Sequence, residues 1–312
     1  MLNRLDFRVL DVCVADNFNP LYPKVPYQET QARQLAELTA GRVAWCAALD
    51  PTGWEEAGFA AKAIEHLRTA FARGAVAVKI YKDIGMLQKS KDGKYLMPDD
   101  PVFDPIFDFI AKNNRTVFNH IADPWESWRP PNTNGLHYKY FKANPFEYMY
   151  LHPERPSKET ILAARDRMLQ NHPNVRFVGC HFGAMDEDVD EMARRFDRYP
   201  GFAVDTAGWV KDLMNQESGK VRAFLIKFQD RVLYGTDREL LAPDNSTNSI
   251  SGMEAAYARD WRYFSTGETI QYGRLSPKGL TLPEPVLRKL FHDNAVKWVP
   301  GLIPTKSPTA KD

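Results

Sequence analysis

Several features of common protein classes are missing from this sequence of 312 residues, and each absence excludes a class. No uninterrupted apolar run approaches the roughly 20 residues of a membrane-spanning helix, so no membrane partner is expected. Lys and Arg number 41 against 40 for Asp and Glu, which leaves no basic excess for binding nucleic acid. The nucleotide-binding motifs G-x-G-x-x-G and G-x-x-x-x-G-K-S/T do not occur. Whether the chain forms a homo-oligomer stays open.

Cysteine is scarce, which excludes a disulfide framework. Cys13, Cys46 and Cys180 are the only three, and each lies within an apolar run. An odd number of cysteines in apolar surroundings indicates reduced, buried packing residues. Charged residues among the first eight positions exclude a signal peptide at the start of the sequence as it stands.

Seven short apolar runs, rich in β-branched residues and bounded by turn signals, predict strands. They cover residues 9–15, 43–49, 75–81, 116–121, 175–181, 202–206 and 232–237. Because they are nearly continuously apolar, they favour a parallel sheet that is buried on both faces. Helices are predicted over residues 28–40, 55–73, 157–171, 186–199, 221–229 and 286–298, with Ser157 and Asp186 as N-caps. Strand and helix alternate, which indicates right-handed βαβ units.

A parallel sheet of this kind either closes as a (β/α)₈ barrel or stays open as a doubly wound sheet. The absence of a nucleotide motif favours the barrel, although a barrel has eight strands and only seven are predicted here. One barrel domain is expected over residues 1–302, with a flexible tail over 303–312. The longest irregular stretch, residues 123–156, is rich in Trp, Pro, Asn and Tyr. A loop of that length and composition indicates an ordered lid.

Three residues with metal-binding side chains end predicted strands: His120, His181 and Asp237. In an α/β barrel the carboxyl ends of the strands carry the active site, and imidazoles with a carboxylate suit a divalent ion such as zinc. Taken singly, each has a structural explanation, because a histidine can bond a backbone carbonyl and an aspartate can cap a helix. Their occurrence on three separate strands favours a metal site.

Three further residues are predicted to contact substrate: Lys79, Asp205 and Trp128. Lys79 lies among small residues of a buried strand, where a lysine is costly unless it pairs or serves chemistry; a side chain that extends to the strand end is the alternative. Asp205 either orients a neighbour or accepts from loop amides. Trp128 either lines a pocket or anchors the long loop.

Five blocks, in this order, resemble the amidohydrolase-related (amidohydrolase 2) family of the amidohydrolase superfamily. They read GAVAVKIYKDIGM, VFNHIADP, NHPNVRFVGCHFGAMDEDVDEMARRFDRYPGFAVDTAG, RVLYGTDREL and VLRKLFHDNAVKWVPGL. The resemblance implies a distorted (β/α)₈ TIM barrel of the metal-dependent hydrolase type, with a divalent ion, zinc by preference, in its mouth. It implies that His120 is the strand-five metal ligand, His181 the strand-six histidine that binds metal or assists catalysis, and Asp237 the strand-eight aspartate. Lys79 falls on strand four, where some relatives carry a carboxylated lysine.

One family feature is absent, since no H-x-H pair occurs in the sequence. The first predicted strand, VLDVCVA, resembles the family's second, so the strand that is missing is the first. We therefore expect a chain that begins at an internal methionine, binds metal weakly and has impaired activity. Two open sheet edges would favour aggregation or edge-to-edge assembly. The compartment stays open: the chain as given would be cytoplasmic, but an export signal would have been lost with the missing segment.

The resemblance implies hydrolysis of an amide, lactone or ester bond in a small-molecule substrate, which is the expected partner. A bound metal lowers the pKa of its water from roughly 15.7 toward about 7. Asp237 would take the proton of that water, and His181 would polarise the substrate carbonyl or stabilise the oxyanion. Two alternatives stay open: a non-oxidative decarboxylase of the same family, and a non-catalytic barrel that keeps only a binding pocket.

Overall fold

The centre of the protein is a seven-stranded parallel sheet whose spatial order is the order of the sequence. The computed structural model describes residues 2, 5–20, 22–238 and 246–302; the predicted tail, 303–312, lies outside them. The strands are β1 (Val9–Val12), β2 (Val43–Ala48), β3 (Ala77–Ile80), β4 (Thr116–Asn119), β5 (Arg176–Gly179), β6 (Phe202–Asp205) and β7 (Val232–Leu233). All seven predicted strands are confirmed. Within the described residues, β1 pairs only with β2 and β7 only with β6.

Helices fill the connections between the strands. They are α1 (Val25–Leu38), α2 (Phe59–Ala72), α3 (Asp83–Met86), α4 (Asp104–Lys112), α5 (Tyr138–Ala143), α6 (Lys158–Asn171), α7 (Cys180–Gly183), α8 (Val189–Arg198), α9 (Val210–Met214), α10 (Ser218–Lys227), α11 (Ser246–Ser265), α12 (Glu284–Arg288) and α13 (Asn294–Trp298). A π-helical segment, Lys289–Asp293, joins the last two. None of the helices in the described ranges is long and apolar enough to cross a membrane.

N-caps were predicted for two helices, α6 and α8, and the structure agrees with one of them. The Ser157 hydroxyl accepts from the Thr160 amide at 3.2 Å and caps α6, as predicted. The predicted cap of α8 is wrong: Asp188, not Asp186, accepts from the Asp190 amide at 2.8 Å. A tertiary contact explains the difference, because the Asp186 carboxylate accepts a hydrogen bond from Lys158, a buried lysine of α6.

Apolar residues form two layers, one between the sheet and its helices and one inside the curl of the sheet. Small residues such as Cys46, Ala77 and Ala203 lie in the inner layer. Alternation along β3 places Val78 in the outer layer and Lys79 with Ala77 on the inner side. All three cysteines are buried and unbridged, as expected.

The long connection after β4 is ordered by its own contacts. It contains α5 and three 3₁₀ turns, Trp125–Trp128, Pro145–Glu147 and Met149–Leu151. The Trp128 indole donates from Nε1 to the Pro156 carbonyl at 3.1 Å. The Tyr148 hydroxyl donates to the Arg129 carbonyl at 2.7 Å. Trp128 therefore anchors this segment, and the substrate contact expected of it stays a prediction.

Candidate active site

The three residues expected to bind metal lie close together at the carboxyl edge of the sheet. The Nε2 of His181 is 3.2 Å from the Nδ1 of His120, and its Nδ1 is 3.9 Å from the Oδ2 of Asp237. Both imidazoles are buried, whereas the Asp237 side chain is 58% exposed. His181 therefore stands between the other two residues.

Hydrogen bonds determine which ring nitrogens carry hydrogen. The Ala207 carbonyl can only accept, and it lies 2.7 Å from the Nδ1 of His181, so that Nδ1 donates. In a neutral ring the Nε2 of His181 then accepts, which makes the Nδ1 of His120 the donor between the two rings. The Nε2 of a neutral His120 is left as an acceptor lone pair.

This lone pair has an unusual environment. The Nε2 of His120 is buried without a hydrogen-bond partner among the described residues, and the Oδ1 of Asp123 lies 3.5 Å away. Burial, together with His181, Lys79 and Lys82, holds the pKa of His120 well below its usual range, so the ring is neutral. Two buried acceptors that face each other repel unless a cation or a proton lies between them. This nitrogen is the atom best suited to hold a cation.

Backbone strain accompanies His181. Residues 181–184 have consecutive left-handed φ values of 57°, 53°, 59° and 60°, a conformation that costs about 1–2 kcal/mol per residue other than glycine. Only Gly183 among them favours it. The turn is held by the Asp205 Oδ1, which accepts from the His181 amide at 2.9 Å, and by the buried Arg165, which donates to the Gly183 carbonyl. Strain that persists under such constraint is typical of functional sites.

Asp237 faces His181 across Gly208. A Cβ at Gly208, where φ is 67°, would stand 3.5 Å from both the Oδ2 of Asp237 and the Nδ1 of His181. Asp237 itself has a left-handed φ of 54°. The missing side chain therefore leaves a space bordered by a carboxylate and an imidazole, where a small reactant can be contacted by both.

Lys79 and Asp205 lie beneath the two histidines. The Nζ of Lys79 donates to the Sγ of Cys180 at 2.8 Å, and burial raises the pKa of that thiol. The Oδ1 of Asp205 also accepts from the Ala207 amide, at 3.0 Å. Burial raises the pKa of Asp205, opposed by His181 and Lys79. These contacts support the backbone around His181; the substrate contacts expected of Lys79 and Asp205 stay predictions.

The sequence reasoning missed a buried lysine, Lys82, at the end of β3. Its Nζ donates to the Oδ2 of Asp123 at 3.0 Å, the Oε2 of Glu147 at 2.8 Å and the hydroxyl of Tyr140 at 3.3 Å. The Lys82 ammonium group thereby links Asp123, which lies beside His120, to Glu147 and Tyr140 of the long connection after β4. The signal was present, because Lys82 and Asp123 follow their strands much as His120 does.

Trp209 was also missed. Its ring centroid lies 4.8 Å from that of His181, and its Nε1 is buried without a hydrogen-bond partner in the part of the chain that the structure describes. An unpaired N–H donor beside a candidate catalytic residue is suited to an oxygen that gains negative charge. No pattern in the sequence distinguishes this tryptophan from a core residue.

The side chains at this edge of the sheet include donor types that bind a divalent ion, but few of these donors are free to do so. An imidazole nitrogen with a free lone pair on His120 and carboxylates on Asp123 and Asp237 are suitable donors. Both ring nitrogens of His181, however, are engaged. No group of three or more His, Cys, Asp or Glu side chains in the described ranges is arranged to hold a metal. The weak metal binding expected from the sequence stays a prediction.

Asp83, after β3, provides a test of the electrostatics of this edge. It is 1% exposed, and burial raises its pKa to about 7, against the lowering effect of the Asn17 amide. A raised carboxyl pKa means that the stability is greatest below the unfolded value near 3.8 and is lost as pH rises through about 7. The stabilisation by Asp83→Asn should therefore grow by on the order of 2–3 kcal/mol between about pH 5 and about pH 8. Urea unfolding at both pH values measures this.

The exposed Asp92→Asn is the matched control for Asp83→Asn, since it makes the same chemical change at the surface. Its effect on the free energy of unfolding should not depend on pH. An Asp83→Asn effect that is equally independent of pH would show that the carboxyl group is ionised throughout this range.

Comparison with known proteins adds the family. The sequence matches the amidohydrolase profile (Amidohydro_2) over residues 24–301, most of the chain. The chain belongs to the amidohydrolase family. Members of this superfamily are typically enzymes and generally use a divalent metal ion. No curated protein matches this amidohydrolase-family sequence.

Solved structures confirm the TIM-barrel fold. An uncharacterised TIM-barrel protein from Bordetella bronchiseptica is 15% identical, with a TM-score of 0.51 over 93% of this chain and 77% of that chain. A putative amidohydrolase from Staphylococcus aureus is 13% identical, with a TM-score of 0.53 over 96% of this chain and 88% of that chain. A dihydroxybenzoic acid decarboxylase from Polaromonas, with bound manganese, is 13% identical, with a TM-score of 0.50 over 88% and 74%. At these identities the likeness concerns the fold alone.

Proposed function

We propose that this member of the amidohydrolase family is a metal-dependent hydrolase that cleaves an amide, lactone or ester bond. The observation that supports this is the arrangement around His181: His120 with its unpartnered Nε2 on one side and Asp237 on the other. A buried lone pair for a cation and a half-exposed carboxylate for a proton are the two groups that such a reaction requires.

Each residue has a distinct role in this proposal. A divalent ion, zinc by preference, would be held by the Nε2 of His120 and would supply Lewis acidity that lowers the pKa of a bound water. Asp237 accepts the proton of the attacking water and returns it to the leaving group. His181 receives the hydrogen bond of His120 and so aims its Nε2, as partners of metal-binding histidines do. Trp209 donates its free N–H to the oxyanion, a role that His181 shares if it exchanges the Ala207 carbonyl for the substrate.

Decarboxylation is a second candidate, because aromatic rings flank both histidines. Tyr81 contacts His120 edge-on, with centroids 5.2 Å apart, and Trp209 flanks His181. Such walls suit a flat aromatic acid, and a buried site disfavours the charge of a carboxylate that can leave as CO₂. The manganese-containing fold relative is itself a decarboxylase of a dihydroxybenzoic acid.

One assay separates the two reactions. The protein is supplied with Zn²⁺ or Mn²⁺ and offered lactones, esters, amides and hydroxybenzoates, while release of acid and of CO₂ is followed. Hydrolysis should release acid from the first three classes in a metal-dependent manner. Release of CO₂ from the hydroxybenzoates without hydrolysis of the other classes would contradict the proposal and favour the second candidate.

The small donor set predicts a metal content that can be checked without any substrate. Purified protein should retain well under one equivalent of divalent metal after dialysis, because catalytic zinc usually takes three protein ligands and the described residues offer no such group. Elemental analysis measures this. His120→Asn should abolish the remaining uptake. His172→Asn should not, because His172 lies before the amino end of β5, away from the carboxyl edge of the sheet, and pairs with Asp104. One tightly held equivalent would contradict the prediction.

A further inference from the structure

A cavity of about 460 Å³ lies beside Arg238, the residue that follows Asp237 in the sequence. Three arginines line it, Arg238, Arg259 and Arg262, together with small residues of α11. A volume in this range accommodates a small molecule or a group at one end of it. None of these arginines has a part in the proposed hydrolysis. We name this feature the arginine cavity.

The charges of the arginine cavity are unbalanced. The Nε of Arg259 donates to the Oδ1 of Asp260 at 2.8 Å, and the Nε of Arg262 donates to the Oε2 of Glu268 at 2.9 Å. Arg238 pairs with no acidic side chain in the described ranges. Counting only the residues that the structure describes, three guanidinium groups therefore face two carboxylates, and one positive charge is left over.

Two of these arginines, Arg259 and Arg262, are held in place by ion pairs and still have N–H groups available for a ligand. Arg259 and Arg262 use Nε and Nη2 in their ion pairs, and among the described residues the Nη1 of each has no partner. Arg259 packs over the Tyr272 ring, 4.5 Å from its centroid. Asp260 is 1% exposed, so its pair with Arg259 is anchored. Guanidinium groups fixed in this way bind oxyanions with little loss of conformational freedom.

We propose that the arginine cavity binds an oxyanion, a carboxylate or phosphate group carried by the substrate that reacts beside Asp237. That the ligand is the substrate rests on the proposed hydrolysis; that the cavity binds an oxyanion does not. The preferred substrates are then esters, lactones or amides with an anionic group at one end. Neutral analogues lose this contact.

Calorimetric titration of the metal-free protein with inorganic phosphate, and separately with acetate, tests the proposal. Saturable binding of at least one anion is expected. Arg238→Gln should weaken it by about tenfold or more, because it removes the unpaired guanidinium and leaves both ion pairs intact. Arg238→Lys should recover part of the affinity, since it keeps the charge without the planar fork. Arg222→Gln, an exposed arginine of α10 that forms no ion pair with the described residues, is the control and should bind as the wild type does.

Two further measurements distinguish this proposal from the proposed function. His120→Asn should abolish hydrolysis and still bind the anion. In the active protein, Arg238→Gln should raise KM for an anionic ester without changing KM for its neutral analogue. Unaltered anion affinity in Arg238→Gln, or no saturable binding to the wild type, would overturn the inference whatever the fate of the hydrolytic activity.

Discussion

Asp237→Asn should lower kcat for hydrolysis by about 10²–10⁴-fold, the usual contribution of a general acid–base residue. Asparagine has nearly the shape of aspartate and tolerates the left-handed φ of 54° at this position, so the fold should be retained. It cannot accept the proton of the attacking water. Steady-state kinetics with added Zn²⁺ measure the effect, and the fall should appear in kcat rather than in KM.

The control for Asp237→Asn is Asp108→Asn, an exposed position on α4 that makes the same change of charge. Its kcat should equal that of the wild type. An Asp237→Asn protein with undiminished kcat would remove Asp237 from the chemistry. A wild-type protein that turns over nothing with metal present would support the barrel that only binds.

Lys82→Met should lower the free energy of unfolding by about 3–5 kcal/mol, the range found when one partner of a buried ion pair is removed. The Lys82 side chain is 2% exposed, and its partners Asp123 and Glu147 are 5% and 13% exposed. Without the ammonium group two carboxylates would remain buried and adjacent. Urea unfolding measures the loss, and Lys139→Met, at an exposed position of α5, should change little.

A second substitution separates charge from packing in this cluster. Glu147→Gln added to Lys82→Met removes one of the unpaired carboxylates, so the double variant should be more stable than Lys82→Met alone. If the double variant is less stable still, the lysine acts through packing and hydrogen bonding, and the electrostatic account is wrong.

The strands were predictable because a parallel sheet buried on both faces requires uninterrupted apolar runs. Their ends were not. The run predicted over 232–237 pairs only at Val232–Leu233, because the chain then leaves the ladder to bring Asp237 to the edge. The helix α11 was missed because it begins with Ser, Thr and Asn, which are poor helix formers. The α8 cap was misassigned because Lys158 binds Asp186 at 2.6 Å, and no local pattern reports that contact.

For the candidate site, the position of the residues could be predicted from the sequence, but their orientation could not. His120, His181 and Asp237 could be placed at one edge because the carboxyl ends of parallel strands meet there. Their orientation could not, because it depends on the left-handed backbone at His181 and on a carbonyl two residues beyond β6. Lys82 and Asp123 also lie just beyond their strands, but the ion pair between them joins two separate connections, and no local pattern reports it.

The Ala207 carbonyl contacts one histidine ring, but it influences the hydrogen positions of two. By accepting from one ring it settles the tautomer of that ring, and through it the tautomer of the next. The free lone pair of the His120 Nε2, just after β4, thus depends on the direction of a peptide group just after β6, two strands away in the sheet. A rotation of that peptide group would free the His181 ring to take the other tautomer, with no change in the identity of any side chain at the site.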